Sequence, residues 1–140
     1  MLKDCMSKYY FDQNYNCAES VIRAGTEYYG LQLHDRDMIM LGAYGGGIQT
    51  GNTCGAILAA AAILSMKYVE QKAHDSKDIK PAVNMLMRRI REALGSTLCK
   101  DIKAKVFQPE VRCKVCVETV CDIIEQVLAD YEAEKAAKAE

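Results

Sequence analysis

Gly45-Gly46-Gly47-Ile48-Gln49-Thr50-Gly51-Asn52-Thr53-Cys54-Gly55-Ala56 opens a run that carries no charged residue as far as Met66. Alanines and branched aliphatic residues fill every side of the helix this run predicts. A helix that is apolar all round is buried all round. The chain is therefore expected to be an all-α single domain built around one central buried helix, residues 54–71. Cys54 sits at the start of that helix. Asn52 or Thr53 can cap it, because their side-chain oxygens accept the orphan N–H groups of a first turn. A thiol at that place meets the positive end of the helix dipole, which favours thiolate over thiol. Thiolate is the form that attacks disulfides and binds metals.

The flanking segments also read as helices, because β-branched alternation is nearly absent and prolines occur only at 81 and 109. Lys3 to Phe11 predicts a short helix, and Asn14-Tyr15-Asn16 a break and a cap. Cys17 to Tyr29 follows, with Cys17, Val21, Ala24 and Tyr28 on one face and Gly30 as its stop. Asp35 is placed to cap a helix carrying Met38, Ile39, Leu41 and Tyr44. After the central helix, Ser76 can cap a further one whose first turn holds Pro81. Its stripe is Val83, Leu86, Met87, Ile90 and Leu94, with Arg88, Arg89 and Arg91 on a solvated face. Lys100–Phe107 reads equally as a short helix or a loop. Pro109 opens a last helix, roughly 110–137, on which Cys113, Val117, Val120, Ile124, Val127 and Tyr131 share a face. Cys116 and Cys121 flank that face, and the Ala/Glu/Lys-rich end, 132–140, is expected to fray. The sum is five to six helices in one domain over 1–140.

Composition excludes several function classes. A net charge of −1 gives no basic footprint for nucleic acid. No apolar run reaches the ~20 residues that span a bilayer, and no export signal is visible, so a cytoplasmic protein without membrane insertion is expected. There is no HExxH, no GxSxG and no paired-carboxylate signature, hence no visible machinery for hydrolysis. Gly46 to Thr53 resembles a phosphate loop only superficially: Asn52 stands where the loop needs lysine, and no strand precedes it, so no nucleotide is expected. His34 and His74 are isolated in polar stretches and read as surface residues.

Seven cysteines remain. In a reducing compartment such enrichment points to metal binding or thiol redox chemistry; the plainer alternative is that cysteine packs as a small hydrophobe. Cys113-Lys114-Val115-Cys116 is a CxxC, but no strand precedes it, no second CxxC suits a zinc ribbon, and no histidine follows to attach haem. Cys17 and Cys54 begin helices, Cys99 follows the Gly95-Ser96-Thr97 break, and Cys113 faces the core. Packed antiparallel, these helices can bring four sulfurs to one pocket. Four thiolates suit zinc or an iron–sulfur cluster; two or three suit a dithiol/disulfide couple.

The pattern Asn16-Cys17-Ala18-Glu19-Ser20-Val21, Gly45-Gly46-Gly47, Cys54-Gly55-Ala56, Cys99 and Cys113 resembles the C_GCAxxG_C_C family of redox-active proteins, from about Tyr10 to Leu128. The resemblance places the four hallmark cysteines on Cys17, Cys54, Cys99 and Cys113, with Cys116 one turn from the last. The family's CGAxxG motif reads Cys54-Gly55-Ala56-Ile57-Leu58-Ala59, with Ala59 in place of the final glycine. A related module, similar to the non-haem part of split-Soret cytochromes, implies an iron–sulfur centre; this chain has no haem motif. The resemblance implies a redox role and no substrate. Cys17, Cys54, Cys99 and Cys113 are the expected working thiols, with Cys116 as an added metal ligand. Gly46, Gly47, Gly51 and Gly55 would let the backbone approach a bound group. An unidentified redox partner is expected, and a homodimer is left open.

Overall fold

The computed structural model describes residues 1–139, and the chain is all-α, with seven α-helices among those residues. They are α1 (Leu2–Ser7), α2 (Cys17–Tyr29), α3 (Asp35–Met38), α4 (Gly55–Tyr68), α5 (Ile79–Leu94), α6 (Cys99–Val106) and α7 (Lys114–Ala139). Wider or tighter turns extend two of them, Lys8–Asp12 after α1 and Ile39–Tyr44 after α3. The helix beyond the expected five to six is α6, formed by the segment that read equally as loop.

The uncharged run is the central helix. α4 packs against α2, α5 and α7. Ala56, Ile57, Ala59, Ala60, Ile63 and Leu64 are all buried. Burying each of the larger side chains stabilises the fold by about 1.5–3 kcal/mol, and the alanines let neighbouring helices come close. Ile63 fills the space that a side chain on Gly25 of α2 would need. α4 ends at Tyr68, three residues before the expected stop. Val69 turns to extended backbone, and Ser76 Oγ donates to the Tyr68 carbonyl at 2.6 Å. The same Ser76 oxygen accepts from Asp78 N and Ile79 N, so it serves the start of α5 from outside the helix, while the N-cap position itself is held by Asp78.

α2 has the expected ends. Asn16 Oδ1 accepts from Glu19 N at 2.9 Å while Glu19 Oε1 accepts from Asn16 N at 3.0 Å, which pairs two orphan donors reciprocally. Gly30 closes the helix with φ 64°. Its buried face is Ala18, Val21, Ile22, Ala24 and Gly25, and Tyr28 is exposed instead of joining it. The face is turned toward Ile22, which leaves Cys17 and Tyr28 at the rim.

Three further expectations are corrected. The start of α3 is closed by Asp37 Oδ2, which accepts from His34 N at 2.8 Å, whereas Asp35 reaches back to Arg23 at 3.5 Å. Ile39 is exposed because the chain tightens after Met38, and Met38 and Leu41 are the residues that turn inward. The third correction matters most. The last helix begins at Lys114, four residues later than Pro109 suggests. Gln108 N donates to Arg112 O at 3.0 Å, and Arg112 takes a left-handed φ of 54°, so 108–112 is a closed turn and no helix can run through it. From Lys114 the helix is regular to Ala139. Residues 132–139 are mostly exposed but helical, and Glu140 lies outside the described residues.

Candidate thiol site

Four helix starts meet at one end of the molecule, and five cysteines lie in them. Cys17 is the first residue of α2, Cys54 directly precedes α4, Cys99 is the first residue of α6, and Cys113 and Cys116 straddle the start of α7. The linkage between the central elements is a short antiparallel bridge, Thr53 to Leu98. Cys54 N donates to Thr97 O at 2.9 Å and Cys99 N to Asn52 O at 2.6 Å. These two bonds hold the starts of α4 and α6 side by side. Asn52 and Thr53 do not cap α4 as expected; Asn52 Oδ1 is taken by Thr53 N at 2.9 Å.

The glycine loop makes this crowding feasible. Gly46, Gly47, Ile48 and Gln49 all have positive φ, between 56° and 65°, and form one left-handed turn. A side chain on Gly47 would stand 2.6 Å from the Cβ of Cys99. A side chain on Gly55 would stand 2.9 Å from Cys17 Sγ and 2.6 Å from the Tyr44 carbonyl oxygen. Gly51 faces Lys100. The glycines thus admit the protein's own cysteine-bearing segments. Ile48 and Gln49 have no such excuse for φ > 0, and each costs roughly 1–2 kcal/mol there. Gly47 O, accepting from Asn52 N at 2.9 Å, helps hold that turn closed.

The sulfurs of Cys54 and Cys116 are in hydrogen-bond contact, 3.6 Å apart. Both residues are buried, with 4% and 2% of their surface exposed. The hydrogen bond from Cys116 favours a thiolate on Cys54, and the amides of Ile57 and Ala56 at the start of α4 act in the same sense. Against them stands burial; the balance brings the Cys54 thiol down to about 7. Donating to Cys54 pushes the Cys116 thiol strongly up, and burial adds to this. At Cys17 burial wins. With the nearby Cys54 it raises that thiol to about 11, although the amides of Gly46 and Ala18 oppose it. Burial also raises Cys99 and Cys113, with Lys103 opposing at both and Arg112 at Cys113.

Cys113 is half-buried, because it lies before the first turn of α7 and not on its core face. The core face starts with Cys116 and Val117 and continues through Val120, Ile124, Val127 and Tyr131. Cys121 is buried lower on α7, and Cys5 is half-buried in α1. Among the described residues, no three His, Cys, Asp or Glu side chains are grouped closely enough to hold one metal ion. His34 and His74 are both exposed. No helix among the described residues is long and apolar enough to cross a membrane.

A family model described as "Putative redox-active protein (C_GCAxxG_C_C)" matches residues 15–127, a span that holds all five clustered cysteines. The chain belongs to the C_GCAxxG_C_C family. No curated protein and no solved structure matches it. In this family member Ala59, at the last position of the CGAxxG motif, is fully buried and tolerated in the core of α4. The residue that sequence reasoning set second to Cys113 is Cys116, the thiol in contact with Cys54. The signal that could have singled it out is the spacing Cys116, Val120, Ile123 and Val127, which keeps Cys116 on the buried face of α7.

Proposed function

We propose that Cys54 and Cys116 form a dithiol/disulfide couple, which exchanges two electrons and two protons with another thiol/disulfide pair. The observation that carries this reading is the 3.6 Å separation of two buried sulfurs, one of them directly before the first residue of α4. A disulfide needs a separation of about 2.05 Å, so the sulfurs must close by about 1.5 Å. Side-chain rotation supplies movement of that size. A thiolate on Cys54 is the form that enters thiol–disulfide exchange, and Cys116, in contact with it, is the thiol with which it closes the intramolecular bond.

Zinc or an iron–sulfur cluster is the other reading of the same cysteines. Cys54 and Cys116 would supply two ligands, and Cys17, Cys99 and Cys113 the rest. Among the described residues no three such side chains are grouped for a single ion, whereas the Cys54 and Cys116 sulfurs are already in contact, which supports the dithiol couple.

The test is differential alkylation with peptide mapping of oxygen-protected protein, before and after treatment with a mild thiol oxidant. A peptide pair joining residues 54 and 116, lost in Cys54→Ser and Cys116→Ser, is the expected result. Stoichiometric iron or zinc in the purified protein, with no such disulfide, would replace the couple by a metal site.

A further inference from the structure

The couple is sealed from outside. A macromolecular reductant must place its own sulfur in line with the disulfide it attacks, and neither Cys54 nor Cys116 offers a surface for that. Cys113 is the half-buried thiol of the same helix start. Its carbonyl accepts from Val117 N at 3.0 Å, the first bond of α7, which makes it the N-cap residue. Cys116 is then the third helical residue. N-cap and third residue are the two positions whose side chains turn toward each other at a helix start, as the capping box shows. Helix geometry puts their Cα atoms about 5 Å apart, inside the roughly 4.4–6.8 Å that a disulfide accepts.

The segment bearing Cys113 is anchored. Its N–H donates to Tyr10 Oη at 3.0 Å, the Arg112 guanidinium lies 4.0 Å from the centroid of the Tyr10 ring, and Arg112 also bonds the Tyr10 carbonyl. Val115, two residues after this thiol, stands 50% exposed.

We propose that Cys113 is the exchange thiol through which a dithiol-bearing partner protein reduces the Cys54–Cys116 disulfide; this inference rests on the reading of that pair as a redox couple. The Cys113 thiolate attacks Cys116 Sγ. The 113–116 bond forms, the 54–116 bond breaks, and Cys54 leaves as thiolate. A thiolate of the partner then attacks Cys113 Sγ and releases Cys116, which takes a proton. The partner's second thiol attacks its own mixed disulfide and releases Cys113. Two electrons and two protons have passed from the partner's dithiol to Cys54 and Cys116, and the partner leaves as a disulfide. The amides of Ile57 and Ala56 at the start of α4 favour the departing Cys54 thiolate in the first step, when Cys116 has no S–H to donate.

The experiment uses full-length oxidised protein and a thioredoxin-type dithiol protein as reductant, with rates read by quenched alkylation. Cys113→Ser should still form the 54–116 disulfide with a small oxidant, which also shows that it folds. Its reduction by the dithiol protein should slow by at least ~10-fold, while Cys5→Ser, outside the cluster, stays at the wild-type rate. Oxidised Cys54→Ser should contain a 113–116 disulfide. Reduction of Cys113→Ser at the wild-type rate would overturn the relay and leave the couple standing. Absence of the 54–116 disulfide in the wild type would remove the couple and the relay together.

Discussion

Replacing Cys116 by Ala tests the electrostatics of the site more sharply than removing Cys54 does. The S–H of Cys116 is the largest influence holding Cys54 at about 7, below its ordinary value of 9.0. Without it, the amides of Ile57 and Ala56 are left to oppose burial alone, and Cys54 returns to about 9.0 or above. At pH 7 a group with a pKa of about 7 is half ionised, and one at about 9 is ionised to roughly 1%. The thiolate population at residue 54 should therefore fall about 50-fold in Cys116→Ala. Ultraviolet thiolate absorbance across a pH series, with Cys54→Ser subtracted as background, reads this directly and needs no reagent to reach a buried sulfur. A thiolate still titrating near pH 7 in Cys116→Ala would refute the assignment of Cys116 as donor. It would mean that the helix start alone sets the ionisation.

Other expectations follow from the same geometry. Gly55→Ala pushes a methyl against Cys17 Sγ and the Tyr44 carbonyl, where α2 and α4 meet. It should cost about 1–3 kcal/mol in urea unfolding, with a cost near zero telling against so close an approach. Asn16→Ala removes the cap of α2 and the bond from Asn16 Nδ2 to Gly42 O, and should cost about 1–2 kcal/mol in the same assay. The reduced protein should also show two opposed pH effects. Cys54 is lowered in the fold, so its contribution to stability is lost as pH falls through about 7 and is complete above 9.0. Cys17 is raised to about 11, so its contribution is complete below 9.0 and is lost as pH climbs from there to about 11. Cys116 and Cys121, also raised, act in the same sense as Cys17. Urea unfolding across pH should rise from 7 toward 9 and fall beyond it, and the rise should vanish in Cys54→Ser.

Local signals in the sequence were enough to place α2 and α4. Asn16 and Glu19 three residues apart mark a reciprocal cap, Gly30 marks a stop, and the uncharged run after Cys54 marks the central helix, although its Leu58, Ala61 and Ala62 are only half-buried and its Ser65 and Met66 exposed. The site itself was legible in outline, as cysteines at helix beginnings. The start of α7 was not. Pro109 suits a first helical turn, and nothing in Glu110-Val111-Arg112 announces that Arg112 adopts a left-handed conformation and closes a turn onto Gln108. That shift of four residues leaves Cys113 outside the helix, while Cys116, spaced with Val120, Ile123 and Val127 on the buried face, meets Cys54. α6 was ambiguous for a related reason. It is short and rich in lysine, and its start is held by a long-range bond from Cys99 N to Asn52 O that no local pattern encodes. The left-handed turn through Ile48 and Gln49 was equally hidden, because neither residue type favours that conformation.

The most direct measurement is an equilibrium redox titration of the whole protein in a graded thiol/disulfide buffer, with the oxidation state of residues 54 and 116 read by mass. The account predicts a single reversible two-electron transition confined to those two cysteines. Reduced thiols at both positions across every ratio, or oxidation that added reductant does not reverse, would contradict it.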